Sequence, residues 1–339
     1  MCYLGADGQT KSQMKSKLYG SGPEDDDVKA WSRKILKFAG EKGEEYKLRF
    51  ADRIYLNEKF RLKDNYVDSM GKVFNASVLN GNFETDAARI TQEINSWVEK
   101  VTENKIKNLV APDVLDARTV MLLVNALYFK GVWEDKFYER STKKQDFYVS
   151  ENRKVQVDMM RLREDKGYYE DQEVQVLELG YLGSQVSMTI ILPKVKNGLK
   201  NVLQGMDGRK LSTLVESVSF ETVIIELPKF KMENSFNLNN ALMKLGISEA
   251  FTDDANFSKM TATSVKISEV VHKSFIKIDE NGTEAAAATY VKVVPASARF
   301  PPPTPKKFTA DHPFLLLLTV GGRNDKEILF IGEFYGTRN

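Results

Sequence analysis

Apolar positions recur along the chain with two periods. From Asp26 to Phe38 they fall at Val28, Trp31, Ile35 and Phe38, which predicts an amphipathic helix with these four on one face. A longer helix is expected over Asp86–Lys107, its stripe formed by Ile90, Ile94, Trp97, Val98 and Val101. A third spans Phe236–Leu245 and closes on Gly246. Elsewhere the period falls to two or vanishes into apolar runs. Tyr46–Tyr55 alternates as a strand, and Val120–Phe129 (VMLLVNALYF) reads as a buried strand broken by one amide, Asn125. Further strands are expected at Val174–Leu179, Val186–Leu192, Thr222–Leu227 and Val265–Ile278. Phe314–Val320 and Ile328–Tyr335 form a closing pair across the Gly321–Asp325 turn. Helices gather early and strands late, which argues for an α+β fold.

Residues 279–308, DENGTEAAAATYVKVVPASARFPPPTPKKF, carry a different pattern. After the Glu280-Asn281-Gly282 turn, every second residue is small or β-branched: Thr283, Ala285, Ala287, Thr289, Val291 and Val293. One face can therefore be buried, while Glu284, Tyr290 and Lys292 lie on the other. Ala285–Ala288 is a poor strand former and a good helix former, so the segment fits a strand without being committed to one. Both a conformational switch and a flexible linker satisfy this composition.

Composition narrows the classes. Hydrophobic residues make up 42% and charged residues 28%, ordinary for a globular protein. Forty-nine basic against 47 acidic residues leave a net charge of +2, which gives no reason to expect nucleic acid as a partner. The single cysteine, Cys2, rules out an intramolecular disulfide and suits a reducing compartment. No apolar run approaches a membrane span, and the first residues lack the apolar core of a signal peptide. Gly20–Asp27 is an acidic loop, and Pro301–Pro305 is an extended, stiff one.

Chemistry is sparse. There are two histidines, no nucleophile elbow, no phosphate loop, no paired cysteines and no zinc-binding helix. These exclusions leave no metal and no cofactor to expect. His312, before Pro313, reads as a surface or structural residue. His272 and Asn125 are polar residues in apolar strands; each needs a partner, and each can satisfy the other. Asp25–Asp27, Asp253-Asp254 and Glu41 with Glu44-Glu45 read as solvated or capping groups. The basic face around Arg33, Lys34 and Lys37 can meet a polyanion such as a glycosaminoglycan, but a plain solvated face is the simpler reading. Three glycosylation sequons begin at Asn75, Asn256 and Asn281.

Several motifs in order resemble the serpin family, most closely its intracellular ovalbumin-like branch. They are Ile94-Asn95 with Trp97-Val98, Thr102, Lys105 and Ile106; Asn125–Gly131 with Trp133; Leu227-Pro228-Lys229-Phe230; and Asp311-His312-Pro313-Phe314 followed by Ile328–Gly332. The resemblance covers Cys2 to Tyr335. It implies a single domain over residues 1–339, with three β-sheets, eight or nine helices and an exposed reactive-centre loop at 280–308. The usual domain begins roughly 40 residues earlier, so the first helix is expected to be missing.

The resemblance also implies a function. Inhibitory members offer the loop as bait to a serine or cysteine protease, become acylated at the cut, and insert the loop into the main sheet as a new strand. Gly282, Thr283, Glu284, Ala285, Ala286, Ala287 and Ala288 match the inhibitory hinge. Counting from the hinge places the reactive bond at Ala296-Ser297, which suits an elastase-like protease; counting back from Phe308 offers Arg299-Phe300 instead. His272 and Asn125 match the polar cluster called the shutter. The implied partner is a protease held covalently by a monomeric inhibitor, with neither membrane nor nucleic acid involved. A non-inhibitory carrier or chaperone, or a truncated form whose loop is only cleaved, are the competing readings. A glycan at Asn281 would obstruct the hinge, which favours the cytoplasm, while an extracellular location stays open.

Overall fold

A computed structural model of the chain describes residues 1–20, 22–40, 46–183, 185–283, 304–322 and 325–336. These divide into two compact units. The first comprises residues 1–42, 48–129 and 232–275, and the second comprises 43–47, 130–231 and 276–339.

Along the chain, helices α1 (Cys2–Gly5), α2 (Gly8–Leu18) and α3 (Asp25–Gly40) precede β1 (Tyr46–Asn57), α4 (Asp64–Phe74), β2 (Ser77–Gly81), α5 (Ala87–Val101) and β3 (Met121–Val132). Strands β4 (Lys143–Ser150), β5 (Arg153–Glu170), β6 (Val174–Gly180) and β7 (Val186–Pro193) follow, then α6 (Leu199–Gln204), α7 (Gly208–Glu216) and β8 (Ser219–Pro228). Next come β9 (Phe230–Asn237), α8 (Asn239–Leu245), β10 (Glu269–Ile278) and β11 (Gly282–Thr283). The chain closes with β12 (Lys306–Thr309), β13 (Phe314–Val320) and β14 (Glu327–Phe334).

In the first unit the sheet runs β2-β1-β3-β10-β9. Its centre is parallel: Glu269–Phe275 of β10 pairs in register with Leu122–Tyr128 of β3. One face is covered by α5, whose Ile90, Ile94 and Val98 are buried against Leu122, Val124, Ala126 and Tyr128. A separate core gathers Ile54, Leu56, Met70, Met121, Phe257 and Met260. In the second unit the strands run β12-β8-β5-β6-β7-β13-β14, with β4 on β5. Among the described residues the strands form two hydrogen-bonded sheets rather than three. The reason is the 18-residue β5, which pairs with β4, β8 and β6 in turn and so merges two of them. Phe230, Phe314, Phe334 and Phe147 form an aromatic core there, with ring centroids 4.4–5.9 Å apart.

Several expected boundaries move. The helix expected to reach Lys107 ends at Val101, because Glu103 and Asn104 adopt left-handed backbone (φ 51° and 61°). Phe236 belongs to β9, and α8 starts only at Asn239; its end on Gly246, at φ 103°, is where only glycine sits without strain. Val265–Ser268 precedes β10 instead of belonging to it. On α3, Trp31 is 43% exposed, and Ser32 takes the buried place between Val28 and Ile35. His312 is buried rather than on the surface, with Nε2 2.7 Å from the Pro193 carbonyl and Nδ1 2.7 Å from Asp311. The Glu41 and Glu44-Glu45 cluster lies outside the described residues.

Ile94 is fully buried between α5 and the sheet. Ile94→Ala should lower stability by about 2–5 kcal/mol through lost burial and the cavity left behind. Denaturant unfolding of the variant measures this; a loss below about 1 kcal/mol would show that α5 is not packed as described.

Candidate functional site

The sequence places a turn just beyond β10, and its geometry is closed by glycine. Asp279 and Gly282 exchange backbone hydrogen bonds of 2.9 and 3.2 Å, and the Asp279 side chain accepts from Asn281 N–H. Gly282 has φ 138°, and a Cβ there would lie 2.1 Å from the Gly131 carbonyl oxygen. No other residue fits so close an approach. That approach lets Gly282 and Thr283 pair antiparallel with Val132 and Gly131 at the end of β3.

Trp133 fixes the turn with two donors. Its backbone N–H reaches the Asn281 carbonyl at 2.9 Å and its indole N–H reaches the Asp279 carbonyl at 3.0 Å. The indole is 1% exposed and stacks on Tyr181 with centroids 4.4 Å apart. Tyr181 then meets the residue after the turn: its hydroxyl lies 2.6 Å from Thr283 Oγ1. Thr283 is fully buried, so this bond satisfies a hydroxyl that would otherwise be stranded. Burial pushes the Tyr181 hydroxyl far above the usual tyrosine range and keeps it neutral, although Thr283 bonding opposes the shift.

Beneath the turn, Glu280 is buried at 4% exposure. Its Oε1 accepts from the Thr142 hydroxyl at 2.7 Å and its Oε2 meets Lys229 Nζ at 2.8 Å. Burial alone would raise this carboxyl, but Lys229 and Thr142 outweigh it and hold it below the ordinary glutamate value.

In the first unit, His272 and Asn125 occupy paired positions of β10 and β3. Asn125 Nδ2 donates to Asp52 Oδ1 on β1 at 2.5 Å, which leaves Oδ1 to accept from His272 Nδ1. The imidazole must then carry its proton on Nδ1. Burial lowers the His272 pKa and favours the neutral ring, over which Phe236 stacks at 6.2 Å. Burial raises the Asp52 carboxyl, against the opposing bond from Asn125. Three neighbouring strands are thus stitched by one Asp–Asn–His chain.

Of the residues singled out by sequence, Gly282 and Thr283 are the described part of the expected hinge, and Asn125 and His272 meet directly. Glu284–Ala288, Ala296, Ser297, Arg299 and Phe300 lie outside the described residues. Sequence reading missed Asp52, Tyr181, Thr142 and the role of Lys229. Only Asp52 left a signal: a carboxylate in an alternating strand flanked by Ala51 and Ile54, both fully buried. Cys2 is buried, which pushes its thiol up to about 11 and leaves it a poor nucleophile.

This arrangement holds the turn after β10 and the two residues beyond it on the end of β3. A protein-family model described as "Serpin (serine protease inhibitor)" matches residues 1–336. The chain is 36% identical over 337 residues to Antichymotrypsin-2 of Bombyx mori, covering 98% of this chain and 87% of that one. It is 34% identical over 340 residues to Serpin B6 of Pongo abelii, covering 98% and 89%. The crystal structure of Serpin48 from Tenebrio molitor superposes with a TM-score of 0.86 at 33% identity, over 99% of this chain and 88% of that one. With its α+β sheets, its closed hinge turn and these matches along nearly its whole length, the chain belongs to the serpin family.

Proposed function

We propose that the protein is a suicide-substrate inhibitor of a serine or cysteine protease, with an elastase-like enzyme as its target. Thr283 carries the reading: the first residue beyond Gly282 is already buried and paired antiparallel on the end of β3. The residues that follow on the same face are Ala285, Ala287, Thr289, Val291 and Val293, none large or charged. Continued inward threading would lay them between β3 and β10. About a dozen new backbone pairs, each worth on the order of 1 kcal/mol, would drive the step. Cleavage is what frees the loop to make it, with Ala296-Ser297 as the reactive bond and Arg299-Phe300 as the alternative.

The proposed reaction balances simply. The protease nucleophile attacks the Ala296 carbonyl, the Ala296–Ser297 amide breaks, and Ser297 leaves with its new amine. The protease stays esterified, or thioesterified, to Ala296 while the loop inserts. His272, Asn125 and Asp52 are the polar latch that insertion must rearrange. Antichymotrypsin-2 and Serpin B6 are named for such roles or families, which supports the inhibitory reading over a carrier. The cytoplasm is the proposed location, supported by the lone buried Cys2 and by a sequon, Asn281, placed inside the hinge turn. Among the described residues no helix is long and apolar enough to cross a membrane.

Incubation with pancreatic elastase should give a covalent high-mass band on a denaturing gel, with a released peptide that begins at Ser297 by mass spectrometry. Clean cleavage with protease activity intact would sink the inhibitory reading. Thr283→Arg should keep the cleavage and lose the complex, because burying its charge costs several kcal/mol. An undiminished complex would refute insertion.

A second expectation concerns pH. The Glu280 carboxyl titrates below its ordinary 4.5 in the folded protein, so its contribution is complete above that pH and is lost as pH falls through the folded value. Glu280→Gln should therefore lower the melting temperature at pH 7 by on the order of 3 °C, and the gap should close in acid. A gap that is constant from pH 7 to acid would show that the Lys229 pair contributes nothing.

A further inference from the structure

We propose that a cavity in the second unit binds the guanidinium group of an arginine side chain carried by a protein partner. The cavity has a volume of about 240 Å³. It exists because one side chain is missing from a row. Gly167 of β5 pairs with Phe220 of β8 on one side and with Glu178 of β6 on the other. Directly paired residues project from the same face of a sheet, so the glycine leaves a notch between an aromatic ring and a carboxylate. A Cβ on Gly167 would lie 3.1 Å from Glu178 Oε2, so that oxygen borders the notch.

A second glycine repeats the device. Glu134 holds the Gly180 carbonyl through its backbone N–H at 3.0 Å. Its own Oε2 lies 2.9 Å from where a Gly180 Cβ would be. Glu134 and Glu178 thus both line the cavity.

The charges there are unevenly paired. Lys166, 6% exposed, is bound to Asp135 at 2.5 Å. Lys326, 5% exposed, is bound to Glu178 Oε1 at 2.7 Å, and Ser187 donates to the same oxygen. Both ammonium groups are therefore committed, and Glu178 Oε2 is left toward the notch. Glu134 is exposed and has no ion pair among the described residues. The lining holds two carboxylates and two ammoniums, but Asp135, outside it, already neutralises Lys166, so Glu134 is left as the carboxylate without an ammonium partner.

At the rim stands Phe220, 81% exposed, the most solvent-exposed of the large apolar side chains described. A guanidinium satisfies all three features at once. Its plane stacks on the ring, its fork of donors meets Glu134 and Glu178 Oε2, and it is weakly hydrated enough to enter a partly enclosed space. The compact, strongly hydrated lysine ammonium matches only the charge. The residues that line this cavity lie outside 280–308.

The test uses the full chain and two probes, Nα-acetyl-L-arginine methylamide and its uncharged isostere Nα-acetyl-L-citrulline methylamide. Saturation-transfer NMR at low ionic strength should show the arginine probe binding with a Kd on the order of millimolar. The citrulline probe should bind at least about tenfold more weakly. Glu134→Gln and Phe220→Ala should each weaken the arginine probe about fivefold or more. Both positions are exposed, and circular dichroism melting should show the fold unchanged. Equal binding of the two probes, no transfer to the arginine probe, or undiminished binding in both variants would overturn the proposal. So would preferential binding of methyl phosphate, since it would mean that the lysines rather than the carboxylates set the site.

Discussion

At the centre of the first unit's sheet, Leu122–Tyr128 and Glu269–Phe275 run parallel. Parallel ladders have slanted bonds and are slightly less stable per residue than antiparallel ones. Antiparallel partners would improve on this arrangement. Four residues beyond the end of β10, Gly282 and Thr283 pair antiparallel with β3. In the proposed mechanism one parallel contact is exchanged for two antiparallel ones. In that mechanism, stored stability of this kind would supply the work of distorting a trapped protease.

Two polar devices fit this exchange. Along β3, Asn125 is bonded to both neighbouring strands, to Asp52 through Nδ2 and to His272 through Oδ1. A strand cannot enter there without breaking that chain, and a half-broken buried polar chain is costly. Six residues further on, Gly131 accepts Thr283 in register, and Tyr181 satisfies its hydroxyl. In the proposed mechanism the Asp52–Asn125–His272 chain is what must part before a strand can enter. Glu280, clamped by Lys229 and Thr142, anchors the turn that feeds the loop.

Much of this was legible in the sequence, for physical reasons. Continuous apolar runs marked β3 and β13, since residues buried on both faces have no polar positions. Asn125 and His272 stood out because amides and imidazoles in such runs require partners. Other parts stayed hidden. β5 was missed because it is thick with charge: nine of its 18 residues are charged and one of them, Lys166, is buried, which obscures the period. α4 was missed although Tyr66, Met70 and Val73 form its buried stripe, because its end is set by a left-handed Asn75 rather than a glycine. Tyr181 and Thr142 touch Thr283 and Glu280 only through tertiary contacts across 102 and 138 residues, and no local pattern encodes such distances.

The central claim is that the native sheet is metastable toward strand insertion. Thermal unfolding before and after a single proteolytic nick between residues 284 and 303 tests it most directly. Strand exchange predicts that the nicked protein, its fragments still associated, melts higher by on the order of 20 °C, the scale expected for about ten net backbone pairs. A nicked protein that melts at or below the temperature of the intact chain would contradict it.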